Sequence, residues 1–307
     1  MTTSGSTTFN LDLNNLIEEA FERCGTELRT GYDMRTARRS LNLLTVEWAN
    51  RGINLWTIEQ GQVTLVTGQS TYPIPTDTID LLDTVVRQNN AIQSNQTDIN
   101  ITRISESTYA TIPNKLTQGR PIQVWINRQS GQTNTTTVTL NGGITSSDTS
   151  ITVSDATQLA SGGFIKIGTE TIGYSNIVGN ILTNCYRGQN GTTAASHLTG
   201  VSVSVQNLNS INVWPTPDAG GSYTFIYWRL RRIQDAGTSG IVEPDIPFRF
   251  LPCMVAGLAF YLAQKLPDGQ PRLQFLKNEY EEQWLMASTE DREKAAIRFV
   301  PRVTFYA

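Results

Sequence analysis

Histidine and cysteine are scarce in this chain of 307 residues, which contains one histidine and three cysteines. A histidine-based catalytic triad would have only His197 as its base, and a metal site with several histidines is excluded. Because His197 lies in a stretch rich in glycine, threonine, alanine and serine, we expect it in a surface loop or turn. Cys24, Cys185 and Cys253 lie far apart without CxxC or CxxH spacing. We expect three reduced thiols in packing roles, with no metal site or disulfide framework.

Excess basic charge and long apolar runs are also missing. The formal net charge is −3, so no broad basic surface attracts nucleic acid, although DNA can pass nearby without being gripped. The longest apolar tract, around Leu251 to Leu262, is too short and too interrupted to cross a bilayer. The first residues lack a basic segment followed by an apolar stretch. We therefore expect a protein made in a cytoplasm, with no secretion signal, no membrane contact and no cofactor.

The carboxylates and the glycine-containing segments do not form a clear catalytic set. The segment from Arg187 to Gly191 lacks the GxxxxGK[ST] spacing of a phosphate-binding loop and predicts a hairpin turn. Glu281 and Glu282 lie on the predicted last helix, where a solvated face or a contact between subunits is favoured over a glycosidase pair. We expect a protein that is not an enzyme, with a hydrolase as the most distant alternative.

Apolar residues recur at helical spacing near both ends of the chain and predict four helices, at residues 10–24, 33–51, 246–266 and 270–296. The first two are expected to form an antiparallel hairpin, and Pro252 is expected to kink the first turns of the third. Each helix has one apolar stripe, with Trp48 on the second and Trp284 on the last. A single stripe needs a partner, so the N-terminal and C-terminal helices should pack together.

The middle of the chain has the period of two that is typical of strands, over residues 57–130 and 207–232. Residues 131–206 differ, because threonine, serine, asparagine and glycine dominate there. The only charged side chains of this segment are Asp148, Asp155, Lys166, Glu170 and Arg187. We expect an inserted all-β domain, a sandwich or barrel, whose first and last strands pair. The fold class is α+β, with a discontinuous domain at 1–130 and 207–307.

Eight segments of this discontinuous domain occur in the order and spacing of a known family. They are FERCGTEL, ARRSLNLLTVEWANRGINLW, GQSTYPIP, IPNKLTQGRP, INVWPTPD, DIPFRF, GLAFYLAQKLP and LKNEYEEQW followed by ASTEDRE. In these segments the chain resembles the head-to-tail adaptor, or connector, of short-tailed bacteriophages, the family called tail tubular protein A or tail accessory factor. The resemblance covers residues 9–130 and 207–307. The insertion departs from the family pattern and looks like β modules of other phage tail components.

The resemblance implies a structural protein of the virion, located in the neck between head and tail and made in the bacterial cytoplasm. Identical subunits would form a ring, commonly a dodecamer, that docks under the portal protein and binds a tail nozzle or other tail proteins. Packaged DNA would be retained and channelled through the lumen without sequence-specific binding. The helical bundle would lie outside, and the C-terminal tail would reach the portal.

Two sets of residues are candidates for these contacts. Past Pro301 the last helix cannot continue, so residues 297–307 should form an extended tail that docks on the portal or a neighbour; folding back as an edge strand is the alternative. The docking residues would be Arg298, Phe299, Arg302, Val303, Phe305 and Tyr306. Candidates for the contact between subunits are Arg35, Arg38, Arg39, Arg229, Arg231, Arg232, Glu281 and Glu282.

A second function remains open from the sequence. In this alternative, the insertion is the binding module of a tail-associated host-recognition or decoration protein. Binding of cells or polysaccharide by the insertion, without portal binding by the rest of the chain, would favour this alternative over the connector.

Overall fold

The computed structural model describes residues 3–52, 54–89, 95–237, 239 and 241–292. It has an α+β fold, as predicted, and it divides into two compact units. One, the helical unit, combines the described residues up to Ile58 with those from Arg232 onward, and the other, the β-rich unit, spans Glu59–Arg231. The helices are α1 (Leu13–Cys24), α2 (Gly31–Arg51), α3 (Glu106–Ala110), α4 (Leu251–Ala263) and α5 (Leu273–Glu290).

The first two helices begin at residues other than those predicted. Helix α1 begins at Leu13 rather than at residue 10, because Asp12 is its N-cap and accepts a hydrogen bond from the backbone N–H of Asn15 at 2.8 Å. Helix α2 begins at Gly31, because Thr30 and Asp33 form a capping box in which each side chain accepts the other's backbone N–H. Helix ends are set by which side chain reaches the free N–H groups, and neighbouring polar residues compete for that role.

The C-terminal helices are shorter than predicted. A 3₁₀ turn at Phe248–Phe250 precedes α4, so this helix begins at Leu251 rather than at residue 246. The side chain of Asp245, just before the predicted start, accepts a hydrogen bond from the backbone N–H of Gln234. The predicted kink at Pro252 was wrong, because this proline lies in the first turn of α4, where a missing N–H costs nothing. Helix α5 ends at Glu290, with Asp291 as its C-cap. Residues 293–296 of the predicted helix lie outside the described residues.

Helix α4 forms the centre of the helical unit and packs against α1, α2 and α5. Helices α1 and α2 make their main contacts with α4 and few with each other. The prediction that these two helices pack directly on each other as a hairpin was therefore wrong. The predicted packing of N-terminal on C-terminal helices is confirmed by one shared apolar core. Gly257 permits the close approach, since a Cβ there would lie 2.9 Å from Leu44 and from Tyr280. Trp48, fully buried, donates to the Tyr280 hydroxyl at 2.9 Å.

The β-rich unit contains short strands that form several small sheets. In chain order they are β1 (Ile58–Thr64), β2 (Thr71–Pro73), β3 (Thr78–Gln88), β4 (Thr97–Asn100), β5 (Thr102–Arg103), β6 (Gln118–Gly119), β7 (Gln123–Asn127), β8 (Thr133–Thr139), β9 (Ile151–Thr152), β10 (Gly163–Ile167), β11 (Glu170–Tyr174), β12 (Asn176–Val178), β13 (Ile181–Thr183), β14 (Tyr186–Gln189), β15 (Ser202–Gln206), β16 (Ser210–Trp214), β17 (Thr216–Pro217) and β18 (Tyr223–Arg231). Sheets ordered β1-β18-β3-β4 and β2-β16-β7-β5 share one apolar core, and β17 pairs with β6.

The segment 131–206 has its own apolar core, built from a five-stranded sheet, β14-β11-β10-β15-β8, and a three-stranded sheet, β12-β13-β9. Two sheets around one core are the arrangement of a β-sandwich. The predicted pairing of its first and last strands is confirmed, because β8 and β15 are antiparallel neighbours. It also contacts the rest of the β-rich unit, where the Tyr186 hydroxyl donates to the Gly68 carbonyl at 2.6 Å. That the segment folds independently stays a prediction.

The three cysteines are buried and free, as predicted. Burial raises the pKa of Cys24 to about 11 and that of Cys185 and Cys253 to about 12. Their thiolates are therefore disfavoured at neutral pH, which suits packing roles. None of the helices in the described part of the chain is long and apolar enough to cross a membrane.

Candidate functional site

The outer side of helix α2 carries large apolar side chains together with arginines. Tyr32, Leu43 and Val46 are exposed by 65%, 53% and 42%, although burial would be favourable for each. Arg35 and Arg39 are also exposed and fall on the same stripe, because residues three or four apart lie on one side of a helix. We call these five residues the basic face.

The charge of the basic face is not neutralised within the described residues. There, neither Arg35 nor Arg39 has an ion-pair partner, and the buried Nε of Arg38 has no hydrogen-bond partner. A further cation is Lys265, whose ammonium group donates to Ser40 Oγ at 2.7 Å. Burial and the nearby Arg39 together lower the pKa of Lys265. A carboxylate brought to this face would therefore meet cations that lack a counter-charge.

A second exposed surface lies on α1 and α5 and has the opposite charge. Glu22 of α1 and Glu282 of α5 are exposed, and within the described residues neither has an ion-pair partner. Phe275 and Met286 lie on the same stripe of α5 as Glu282 and are exposed by 68% and 50%. We call these four residues the acidic face.

An ion-pair chain joins the two helices of the acidic face. Arg23 of α1 lies 3.0 Å from Glu19 on its own helix and 2.7 Å from Glu279 of α5. Glu19 precedes Glu22 by three residues, and Glu279 precedes Glu282 by three, so each pair shares one side of its helix. The outer sides of α1 and α5 therefore form one continuous surface.

The chemistry of the two faces is typical of protein contacts. Exposed apolar side chains bordered by unpaired charges mark interaction surfaces, since the apolar groups gain from burial and the charges give orientation. Of the interface candidates predicted from sequence, the structure places Arg35 and Arg39 on the basic face and Glu282 on the acidic face, and the less exposed Arg38 lies on the same helix as the basic face.

The predicted arginines of β18 have partners inside the chain instead. Arg229 binds Glu59 at 2.8 Å and also pairs with Asp77, and Arg231 binds Glu59 at 2.6 Å. Both arginine side chains are nearly buried, at 12% and 10% exposure, so they have little surface for a neighbouring molecule. Arg232, in contrast, is 56% exposed. We therefore do not include Arg229 and Arg231 in either face.

Glu281 also serves within the chain. Both of its carboxylate oxygens accept hydrogen bonds from Arg51 of α2 at 2.9 Å, and this pairing lowers the pKa of the carboxyl group. The guanidinium of Arg51 lies 4.8 Å from the ring centroid of Tyr280 and 5.1 Å from that of Trp284. Glu281 and Glu282 are adjacent in sequence, yet a helix turns about 100° per residue and separates their roles.

The predicted docking residues of the tail, residues 297–307, lie outside the described residues.

Sequence reasoning missed a buried charge cluster in the segment 131–206. The Glu170 side chain is fully buried, and its Oε1 accepts from Arg187 Nε at 2.9 Å and from the Gly188 N–H at 3.0 Å. Its Oε2 accepts from Arg187 Nη2 at 2.8 Å and from the Ala195 N–H at 3.1 Å, and His197 Nε2 lies 2.8 Å away. Five contacts therefore converge on one carboxylate.

The cluster corrects two predictions. His197 is not a surface residue, because its side chain is only 11% exposed. Arg187 belongs to strand β14, so the predicted turn is found only at Asn190 and Gly191, and Arg187 also donates to the Ala195 carbonyl at 2.6 Å. Burial raises the pKa of Glu170, but the donors from Arg187, His197 and the backbone outweigh it and lower that pKa to about 2. The one sequence signal was the scarcity of charge, since this segment has a single glutamate and a single arginine.

The β-rich unit also contains a cleft of about 400 Å³. The rings of Tyr109 and Trp125 in its wall are stacked, with centroids 5.0 Å apart, and Lys115 lies 5.4 Å from the Tyr109 centroid. Lys115 is the only charged residue among the described residues that line it; the other polar groups are neutral, including Asn127, Gln129, Gln206, Asn207 and Asn212.

Within the ranges that the structure describes, no group of three or more metal-ligating side chains is close enough to hold an ion. A scan against models of known protein families and a search of curated proteins found no match to this chain.

Proposed function

We propose that this protein is a structural component of a bacteriophage virion, a ring-forming adaptor in the neck that connects the portal of the head to the tail. In this role it acts without catalysis, helps to retain the packaged DNA and channels it through the ring. Its partners are the portal protein, a tail nozzle or other tail protein, and identical subunits, twelve by the family resemblance. The tail at residues 297–307 docks on the portal.

The observation that carries the proposal is the pair of exposed faces on the helical unit. A subunit that functioned alone would gain nothing from leaving Tyr32, Leu43 and Phe275 more than half exposed to solvent. Assembly into a ring covers such side chains. Eight segments resemble those of phage connectors in the same order, and this resemblance favours a ring at the neck as the kind of assembly.

The proposal is tested by mixing the full-length protein with portal rings of the same virus. Co-sedimentation, mass measurement and electron microscopy should show rings of this chain, each far heavier than 34.0 kDa, attached to one end of the portal. A protein that stays monomeric and does not bind portal at any concentration would contradict the proposal.

The cleft in the β-rich unit favours one second candidate, a tail-associated host-recognition or decoration protein. Aromatic rings beside neutral amide groups suit an uncharged polar ligand such as a saccharide, because rings stack on sugar faces and amides bind hydroxyl groups. Protein variants with Trp125→Ala should then lose binding to host cells or to their purified polysaccharide. Portal binding without any binding to cells would favour the adaptor.

A further inference from the structure

We propose that copies of this chain associate head to tail, with the basic face of one copy docked on the acidic face of the next. The inference rests on the proposed function, since it takes the occupant of each face to be a second copy of the chain. It adds which helices meet, α2 of one subunit with α1 and α5 of its neighbour.

Charge complementarity is the first argument. Arg35 and Arg39 on one face and Glu22 and Glu282 on the other are all exposed, and within the described residues they lack ion-pair partners. Each face thus presents two unpaired charges of one sign. Contact between two basic faces would place arginines together, whereas contact between the two different faces pairs every charge with its opposite.

The arrangement of the helices gives the second argument. Helices α1 and α2 both pack on α4, and neither packs chiefly on the other. The basic face lies on α2, whereas the acidic face lies on α1 and α5, so the two faces are separate surfaces that share no helix. Two unlike, complementary surfaces at different places on one subunit produce a head-to-tail contact, which closes into a ring when the rotation between neighbours divides a full turn.

The apolar side chains give the third argument. The basic face contains Tyr32, Leu43 and Val46, and the acidic face contains Phe275 and Met286. In an interface, apolar side chains that become buried beside charges exclude water from them and so strengthen the ion pairs. Each face combines exposed apolar side chains with charges of a single sign, and along α2 and α5 the charges lie between the apolar positions.

Reversal of the charges on one face at a time tests the pairing. The basic-face variant is R35E/R39E and the acidic-face variant is E22R/E282R; all four side chains are exposed, so circular dichroism should show an unchanged fold. The matched control is R120E/R128E, which changes two exposed arginines of the β-rich unit and alters the net charge as R35E/R39E does. Assembly is measured on the full-length protein, alone and on portal rings, by native mass spectrometry and electron microscopy.

We expect each one-face variant to need about tenfold more protein, or more, for half-maximal assembly, because like charges then meet at every junction. The control should assemble as the wild type does. An equimolar mixture of the two one-face variants should recover rings, since all its junctions between unlike variants pair opposite charges. The fourfold variant R35E/R39E/E22R/E282R should recover them for the same reason.

The outcomes separate this inference from the proposed function. Rings formed by the one-face variants at wild-type concentrations would overturn the pairing of these faces and leave the adaptor function standing. Loss of assembly in both variants without recovery in the mixture or the fourfold variant would also overturn it, as would a wild type that forms only two-fold dimers. A wild type that forms no assembly, alone or on portal, removes the proposed function and the inference with it.

Discussion

Replacement of the buried Glu170 by glutamine should loosen the segment 131–206 without unfolding the helical unit. Glutamine keeps the size of the side chain but replaces one acceptor oxygen by an NH₂ group. That NH₂ group would face two other donors, the guanidinium of Arg187 and the backbone N–H of either Gly188 or Ala195. Donors left without an acceptor in a buried site are costly, and so is an arginine without its counter-charge.

Two physical arguments give a similar loss of folding stability for Glu170→Gln. Loss of one partner from a buried ion pair costs about 3–5 kcal/mol. The pKa of Glu170 is lowered from 4.5 to about 2. Each tenfold change in the proton affinity corresponds to roughly 1.4 kcal/mol, so the ionised carboxylate contributes about 3 kcal/mol to stability at neutral pH. We therefore expect a loss of about 3 kcal/mol for Glu170→Gln.

Amide hydrogen exchange can locate the effect. None of the six tryptophans lies within residues 131–206, so tryptophan fluorescence reports on the rest of the chain. Exchange in strands β10 and β11 should become up to about 150-fold faster, the factor that corresponds to about 3 kcal/mol. The urea transition of this fluorescence, which comes from three tryptophans of the helical unit and three of the β-rich unit, should stay unchanged.

The pH dependence has a definite sign. Because the pKa of Glu170 is lower in the folded protein, its contribution is fully present above about pH 4.5 and is lost as the pH falls toward 2. The difference between the wild type and Glu170→Gln should therefore shrink over this range. The control is Asp155→Asn, the same change from carboxylate to amide at a partly exposed position. Equal exchange rates in the wild type and Glu170→Gln at pH 7 would refute the reasoning.

Four further predictions concern other parts of the chain. Trp48→Ala should cost about 3–5 kcal/mol in urea unfolding, because the ring is fully buried; a near-zero cost would contradict a core position. Gly257→Ala should destabilise by about 1–3 kcal/mol, since its Cβ would overlap with Leu44 and Tyr280, while Gly31→Ala, which meets no atom, should not. Deletion of residues 137–205 should leave a soluble protein with the helical unit folded, and aggregation would show a shared core. Removal of residues 297–307 should abolish co-sedimentation with portal but preserve circular dichroism, and normal portal binding would contradict the docking role.

Periodicity along the chain determined which side chains of the helices are buried. Leu13, Leu16, Ile17 and Phe21 were predicted on one stripe of the first helix, and all are buried. The threonine-rich composition of residues 131–206 likewise indicated a separate set of strands with a core of its own. Both signals are local, because burial of one side of a helix or strand repeats at a fixed spacing whatever packs against it.

The partners of the polar groups could not be predicted in this way. Glu170, Arg187 and His197 meet across 27 residues of sequence, and Arg229 meets Glu59 across 170. In sequence Glu281 and Glu282 are equivalent, but only Glu281 is paired with Arg51. Which charges meet depends on how strands and helices distant in the chain come together, and no local pattern encodes that geometry.

The sequence by itself determined the fold class, the buried stripes and the composition boundary of the insertion. Only the tertiary structure decided that α1 and α2 each pack mainly on α4 and not on each other, and with it which helix surfaces form the basic and acidic faces. A helical period shows which side of a helix is buried, but an apolar stripe fits many apolar partners about equally well. The choice among those partners is made by the packing of the whole core, in which the absence of a side chain at Gly257 lets α2 and α5 approach α4 closely.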